Sequence, residues 1–173
     1  MIPIPAAILQ VLSNDRTEFV PLELDDARVL SRVHGSAFPL AEGSWGASEF
    51  HDLLSRPNAF GIAAVRPGTG ARPREPRGFA LLRCAADEAE VLTLAVHPAW
   101  QGRGIGRRLM EGALRELYAR RIERLFLEVD EGNAPAIRLY ERLGFETVGR
   151  RDAYYEKLGG RATALTMRLD LSA

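Results

Sequence analysis

Three glycines and three arginines lie close together between Gln101 and Arg108, after an apolar run that ends at Val96. Glycines at alternate positions let backbone N–H groups converge on one point, because no side chain obstructs them. A helical pattern begins at Gly104, and the first turn of a helix adds free N–H groups and the positive end of the helix dipole. The segment predicts an anion site that a pyrophosphate would fit. Three side chains could add positive charge at its rim: Arg103, Arg107 and Arg108.

Common nucleotide-binding loops do not match this segment. A P-loop requires Lys and then Ser or Thr after its last glycine, whereas Arg107 and Arg108 follow Gly106 here. The glycine spacing also departs from the dinucleotide-binding fingerprint. From the residues alone two interpretations stay open. The glycines form only a tight turn between a strand and a helix, or they bind the phosphates of another kind of ligand.

Two side chains further along the chain could take part in proton transfer. Glu128 interrupts the apolar strand pattern Leu125–Val129, and an ionised carboxylate in a buried strand is costly unless it is paired. Glu128 is therefore either a salt-bridged or edge residue, or a general base in a cleft. Tyr140 lies seven residues, or two helical turns, after Asn133, so both can face the same side of a helix. From the sequence alone, Tyr140 is better explained as a tyrosine packed in the core.

Composition narrows the class of protein. The 173 residues suffice for one domain, and 46% hydrophobic with 27% charged residues is a globular balance. Because 23 Lys and Arg balance 23 Asp and Glu, we expect no direct nucleic-acid binding through phosphate contacts. The single cysteine, Cys84, excludes an intramolecular disulfide and suggests a reducing, cytoplasmic location. The sequence has no run of about 18 apolar residues, so we expect no membrane span.

Hydrophobic periodicity predicts one mixed domain over residues 16–173, preceded by an extension at residues 1–15. The predicted strands are Thr17–Leu24, Ala59–Val65, Gly78–Cys84, Glu90–Val96, Arg124–Val129, Phe145–Arg150 and Ala164–Leu171. The predicted helices are Asp25–Phe38, Ala47–Ser55, Gly104–Arg120 and Asn133–Leu143. Asn133 is the expected cap of the last helix, with Pro135 in its first turn. Loops are predicted at Pro39–Gly46 and Arg66–Arg77, the second rich in proline and arginine.

For one strand and one helix, the sequence also predicts which residues are buried. The nearly unbroken apolar run from Val91 to Val96 is typical of a strand covered on both faces. In the helix Gly104–Arg120, apolar residues recur at three- and four-residue intervals and predict a buried face, with Glu116 outside it. That face consists of Leu109, Met110, Ala113, Leu114, Leu117 and Tyr118. The elements together indicate a mixed sheet covered by helices.

Four residues of this chain resemble, in the same order, the acetyl-CoA-binding signature of the GNAT acetyltransferase superfamily. They are Val96, Gln101, Gly104 and Gly106. A second segment, Asn133–Phe145, is similar to a later motif of that superfamily at the expected separation. The resemblance extends over residues 17–171. It implies an α+β fold, namely a three-layer αβα sandwich with a mixed, mostly antiparallel central sheet.

Within the superfamily the chain is most similar to the RimI-type ribosomal-protein alanine N-acetyltransferases. The similarity lies in Leu94-Ala95-Val96, Leu127-Glu128-Val129, Tyr140 and the tail Gly149–Tyr155, and also in His34–Pro39 and Trp45. The chain departs from the subfamily at Asp130, where an arginine is frequent, and at Glu156, where a proline is common. These departures concern the acceptor specificity and not the acetyl-CoA site.

The resemblance implies roles for individual residues. It implies that Glu128 is the general base, that Tyr140 protonates the leaving thiolate, and that Asn133 contacts acetyl-CoA besides capping its helix. It also implies that acetyl-CoA is bound by Leu94, Ala95, Val96, Gln101, Gly102, Arg103, Gly104, Ile105, Gly106 and Arg107. Tyr154 and Tyr155, with the loop Phe38–Trp45, are predicted to form the wall of the acceptor site, although a packed loop and a hydrophobic rim explain them equally well.

The resemblance implies an enzyme that moves acetyl from acetyl-CoA to a protein N-terminal α-amine, the alanine of small-subunit ribosomal protein eighteen. Two alternatives stay open: acetylation of a small-molecule amine or a lysine side chain, and a non-catalytic CoA-binding regulatory module. Glu128 and Tyr140 argue against the last, because a binding module needs neither. The sequence has no metal-binding or acyl-enzyme motif, so we expect direct transfer without a metal. The expected partners are acetyl-CoA and a protein N-terminus, without a membrane.

Overall fold

The computed structural model describes residues 17–39, 45–66, 76–157 and 160–172, with only the backbone described between 152 and 162. The strands are β1 Glu18–Pro21, β2 Ala59–Val65, β3 Pro76–Ala85, β4 Glu88–Val96, β5 Arg124–Asp130, β6 Glu146–Lys157 and β7 Gly160–Asp170. The helices are α1 Ala27–Ala37, α2 Ala47–Leu54, α3 Ile105–Ala119 and α4 Ala134–Arg142. Short 3₁₀ turns lie at Leu24–Asp26 and Pro98–Trp100. The predicted extension lies outside the described residues, and the domain boundary stays a prediction.

The described strands form one sheet in the order β1-β2-β3-β4-β5-β7-β6. Each neighbouring pair is antiparallel except β4 and β5, which run parallel. The parallel pair is joined through α3, since parallel strands require a crossover connection. The prediction of a mixed, mostly antiparallel sheet is confirmed.

Two hydrophobic clusters, one on each face of the sheet, define the layers. The first contains Ile105 and Leu109 of α3 and Tyr140 of α4. The second contains Leu30 of α1 and Phe50 of α2. The central strands supply alternate residues to the two clusters, as the two-residue period of a strand requires. The predicted αβα sandwich is confirmed.

Several element boundaries differ from the predicted ones. Strands β6 and β7 are longer than predicted, because they pair with each other as far as Lys157 and Gly160. Strand β3 begins at Pro76, inside a segment predicted as loop, since a proline is tolerated at the first position of a strand. Residues 40–44 and 67–75 of the two predicted loops lie outside the described residues.

The buried face of α3 is rotated from the predicted one. Tyr118, predicted to be buried, is 56% exposed, whereas Glu116, predicted to lie outside the face, is 4% exposed. The buried stripe instead runs through Gly112, whose missing side chain lets α3 approach Ile62, because a Cβ there would lie 3.0 Å from the Ile62 Cδ1. Glu116 is tolerated inside because its Oε1 accepts a hydrogen bond of 2.8 Å from the Arg120 Nε.

Strand β4 packs against both layers, and a β-bulge changes which of its residues face each layer. Leu82 lies opposite Val91 and Leu81 lies opposite Thr93, so Leu92 is an extra residue. The extra residue reverses the alternation, so that Val91 packs in the cluster beneath α3 and Ala95 in the cluster beneath α1 and α2. The predicted coverage on both faces is confirmed.

Acidification is expected to destabilise the fold through His34, a buried residue of α1. Its ring stacks on Trp45 with centroids 5.4 Å apart, and burial lowers the pKa of the imidazole below its ordinary 6.5. The unfolded chain therefore takes up the proton more readily, and the free energy of unfolding falls as the pH drops below about 6.5 towards the lowered folded-state pKa. Urea unfolding at several pH values is expected to show a smaller loss for His34→Leu than for the wild type.

The exposed His51 provides the matched control for this prediction. Its side chain is 57% exposed, so His51→Gln is expected to keep the pH dependence of the wild type. Equal losses in the wild type and in His34→Leu would contradict the assignment.

Candidate functional site

Strands β4 and β5 separate part-way along their length. Their parallel register runs from Glu88 opposite Arg124 to Val91 opposite Leu127. Beyond this point both strands continue, β4 to Val96 and β5 to Asp130, and each stays paired on its other edge. The separation turns an edge of β4, including the predicted ligand-binding residues Leu94–Val96, towards the gap between the strands. Backbone groups on such an edge can pair with an extended ligand.

The glycine-rich turn closes one end of this gap. Gly102 and Gly104 have φ of 73° and 74°, a region that L side chains rarely adopt, so glycine is required at both positions. A Cβ built on either glycine meets no atom within 4 Å, so open space lies beside both. The Gln101 Nε2 donates a hydrogen bond of 3.0 Å to the Val96 carbonyl and holds the turn. Helix α3 begins here at Ile105, with its first N–H groups free of helical partners.

The predicted rim arginines have partners within the protein. Arg103 lies over the Trp100 ring with its Cζ 4.7 Å from the centroid, and Arg77 lies over the same ring at 3.7 Å. Arg107 donates from its Nε to the Glu111 carboxylate at 2.8 Å, and its side chain is 65% exposed. Sequence reasoning missed Trp100 and Arg77, because the cation–π stack joins segments that are remote in the chain.

Helix α4 is the third element that lies beside the gap. Asn133 caps it as predicted, its Oδ1 accepting a hydrogen bond of 3.2 Å from the Ala136 N–H. A Cβ on Gly106 would lie 3.5 Å from the Leu139 Cδ2 and 3.7 Å from the Val96 Cγ2. The start of α3, the middle of α4 and the end of β4 therefore meet at Gly106, which brings the predicted ligand-binding residues together.

The two predicted catalytic side chains belong to opposite faces of the sheet. Leu127 and Val129 pack in the cluster beneath α3 and α4, so the intervening Glu128 side chain points to the face of α1 and α2. Tyr140 lies on α4, is 7% exposed, and packs edge-to-face on Phe145 with ring centroids 5.6 Å apart. Two groups on opposite faces can serve one reaction only across the gap between β4 and β5.

Glu128 has a cationic partner that sequence reasoning did not identify. Its Oε1 lies 3.3 Å from the Arg151 Nη2 of β6, and the two side chains are 21% and 58% exposed. The salt-bridged interpretation of Glu128 is therefore realised. An ion pair of this exposure leaves the carboxylate accessible, so the pairing and a general-base role are compatible.

The predicted acceptor wall is described only in part. The side chains of Tyr154 and Tyr155 lie outside the described part of the structure, and so do residues 40–44 of the loop. At the loop ends, Phe38 and Trp45 both contact the His34 ring, with centroids 4.8 and 5.4 Å from it. A β-bulge between Arg151 and Tyr155 marks the backbone of β6 here.

Metal binding and thiol chemistry have little structural basis in the described ranges. There no three or more His, Cys, Asp or Glu side chains are grouped so that they could hold a metal ion. The helices of the same ranges include none with the length and apolarity needed to cross a bilayer. Burial raises the pKa of the half-buried Cys84 thiol, which disfavours the nucleophilic thiolate.

Comparison with known families identifies this arrangement. The sequence profile of the acetyltransferase (GNAT) family matches residues 30–145. The chain belongs to this family. The matched range begins in α1 and ends after α4, so it contains the glycine-rich turn, the separated strands and both predicted catalytic residues.

Individual relatives agree with the assignment. The chain is 43% identical over 94 residues to the [ribosomal protein bS18]-alanine N-acetyltransferase of Escherichia coli K12, covering 54% of this chain and 64% of that protein. It is 38% identical over 151 residues to the N-alpha-acetyltransferase RimI of Mycobacterium tuberculosis, covering 84% and 87%. A crystal structure of the E. coli ribosomal-protein-S18-alanine N-acetyltransferase superposes with a TM-score of 0.81 at 30% identity, covering 91% and 95%. The predicted resemblance to the RimI type is confirmed.

Substitution of Asn133 is expected to separate its two predicted roles. Asn133→Ala removes the α4 cap and is expected to lower the free energy of unfolding by about 1 kcal/mol. Asn133→Ser retains a capping hydroxyl and is expected to keep that stability. If Asn133 also contacts acetyl-CoA, Asn133→Ser raises the Kd for acetyl-CoA about fivefold, measured by calorimetry. An unchanged Kd would limit Asn133 to its capping role.

Proposed function

We propose that this GNAT protein transfers acetyl from acetyl-CoA to the α-amine of the N-terminal alanine of ribosomal protein bS18. The observation that carries the proposal is the gap between β4 and β5, with the glycine-rich turn at one end and Glu128 on the strand that borders it. The names of the E. coli and M. tuberculosis relatives support the acceptor class. The part of the chain aligned with the E. coli relative spans 64% of that protein's length. A cytoplasmic location follows from this acceptor.

Acetyl-CoA would enter with its pyrophosphate at the turn. Alternate glycines expose backbone N–H groups there, and the start of α3 adds its positive dipole end. The pantetheine arm would pair with the free edge of β4 at Leu94–Val96, as an added strand pairs with a sheet edge. A backbone N–H of that edge would polarise the thioester carbonyl and stabilise the developing oxyanion.

Transfer would proceed directly between the two bound substrates. The acceptor arrives as an ammonium ion, and Glu128 takes its proton, either directly or through a water molecule. The amine lone pair then attacks the thioester carbonyl carbon and forms the C–N bond. The nitrogen releases its second proton to solvent, and the C–S bond breaks. Tyr140 donates its phenolic proton to the departing CoA thiolate from the other face of the sheet. The half-buried Cys84 has no part in this sequence of steps.

The lower pKa of an α-ammonium group makes an α-amine a more favourable acceptor than a lysine side chain. An α-ammonium group has a pKa near 8 and a lysine side chain one near 10.4, so deprotonation at pH 7 costs roughly 1.4 and about 4.6 kcal/mol respectively. A single carboxylate such as Glu128 therefore removes the proton of an α-amine more readily. The argument favours the class of acceptor and leaves its identity to experiment.

Incubation with acetyl-CoA and a panel of acceptors, followed by mass spectrometry, tests the proposal. The panel contains peptides that begin with alanine and carry the bS18 N-terminus, the same peptides with a blocked α-amine and a free lysine, and small amines. We expect turnover on the free alanine peptides and none on the blocked ones. Acetylation of lysine or small amines alone would support the alternative GNAT activities, and binding of acetyl-CoA without turnover would support a regulatory module.

A further inference from the structure

Strand β7 lies between the strand that carries Glu128 and the strand that carries Arg151. Across the sheet, Glu128 is opposite Thr166, and Thr166 is opposite Gly149. One row further, Asp130 is opposite Ala164, and Ala164 is opposite Arg151. Residues in one row, and residues two apart along a strand, point to the same face. Glu128 and Arg151 are therefore on the same face, two strand spacings (about 10 Å) apart across the sheet and one row (about 7 Å) apart along it.

A β-bulge in β6 puts Arg151 on this face. Thr147 is opposite Met167 and Gly149 is opposite Thr166, so Val148 is an extra residue in the ladder. Because side chains alternate with a period of two, one extra residue reverses the face of the residues that follow it. If Val148 were instead paired in a regular ladder, Arg151 would move one position along β7 and its side chain would point to the face of α3 and α4, away from Glu128.

Small residues leave room for the arginine to cross β7. The positions between the two charges are Gly149, Thr166 and Ala164, none of which carries a long side chain. A Cβ on Gly149 would already contact the Thr166 Cβ at 3.4 Å. The Arg151 side chain extends across this surface and brings its Nη2 within 3.3 Å of the Glu128 Oε1.

Arg150 shows that the pair at Glu128 is specific to one face. Arg150 is opposite Leu165 and points to the other face, where its Nη2 donates to the Glu131 carboxylate at 2.9 Å. Both arginine side chains are 58% exposed, and both pair with a glutamate after or within β5. They differ in the face they occupy, so Arg150 is a matched control for Arg151.

We propose that Arg151 is a positioning residue that holds the Glu128 carboxylate towards the gap between β4 and β5. The proposal rests on the proposed function, in which Glu128 accepts the proton of the acceptor amine. A flexible glutamate side chain has several rotamers, and an oppositely charged partner restricts them. Arg151 therefore acts on the proton-transfer step through Glu128 and has no direct part in binding acetyl-CoA.

A double-mutant cycle tests this role with Arg151→Met, Glu128→Gln and the combined variant. Steady-state kinetics are measured at high enzyme concentration on whichever panel acceptor the wild type acetylates fastest. We expect Arg151→Met to lower kcat about tenfold, with the KM for acetyl-CoA unchanged. We expect the same substitution to have little effect in the Glu128→Gln background, because the carboxylate it positions is gone. Arg151→Lys is expected to recover part of the loss, and Arg150→Met to keep wild-type kcat.

Several outcomes would overturn the proposal. They are an equal effect of Arg151→Met in both backgrounds, a similar loss in Arg150→Met, and a change in KM with kcat unaltered. If Arg151→Met folds poorly, the cycle is repeated with Arg151→Gln, and the thermal midpoints of all variants are compared. Acetylation of lysine or a small amine in place of alanine peptides contradicts the proposed function alone, since the cycle then runs on that amine. Absence of turnover on every amine contradicts both.

Discussion

Glu128→Gln is expected to lower kcat on an alanine peptide by about 100-fold, because a carboxamide cannot accept the proton of the acceptor ammonium. The amide is close in shape to the carboxylate, so the gap between β4 and β5 keeps its form. The Kd for acetyl-CoA is expected to stay within about twofold of wild type, since the base acts on the acceptor. Steady-state kinetics and calorimetry measure the two quantities.

Glu131→Gln is the control for this substitution. Glu131 also pairs with an arginine of β6, at 2.9 Å from the Arg150 Nη2, but follows β5 in sequence and is outside the gap. Loss of either exposed ion pair is expected to cost less than about 1 kcal/mol of stability, so the control isolates catalysis from folding. A collapse of acetyl-CoA affinity in Glu128→Gln would make Glu128 a structural residue and remove it from the proposed mechanism.

Gly104→Ala is expected to weaken acetyl-CoA binding by at least about tenfold, equivalent to about 1.4 kcal/mol. Two effects act together. The φ of 74° strains any residue with a Cβ, by about 1 to 2 kcal/mol, and so disturbs the turn at the start of α3. The added methyl group also enters the open space beside the turn, where the pyrophosphate is proposed to bind. Calorimetry with acetyl-CoA measures the loss.

Gly144→Ala separates strain from ligand binding. Gly144 has φ of 93° at the end of α4, and a Cβ there would lie 3.3 Å from the Leu169 Cδ1, so the substitution is at least as strained. It is expected to lower the thermal midpoint as much as Gly104→Ala and to leave the Kd for acetyl-CoA unchanged. Equal affinities of the two variants for acetyl-CoA would exclude the glycine-rich turn as the phosphate site.

Helix α3 shows which features of an amphipathic helix its sequence pattern predicts and which it does not. Its length and its apolar periodicity were predictable, because both arise from the 3.6-residue repeat of a helix. The burial of Glu116 and the exposure of Tyr118 were not, because they depend on how closely Gly112 lets the helix approach Ile62. The approach of two elements is a property of the packed pair and leaves no mark in the pattern of either one.

Sequence by itself determined the features that depend on near neighbours. The turn glycines, the Asn133 cap and the acidic interruption at Glu128 are local signals, because backbone conformation and capping are decided within a few residues. Tertiary structure alone decided that Arg151 meets Glu128 and that Arg77 supports Trp100. Both contacts join segments far apart in the chain, and the first depends on one extra residue in β6. The ladder that defines such a bulge exists only once the strands have paired.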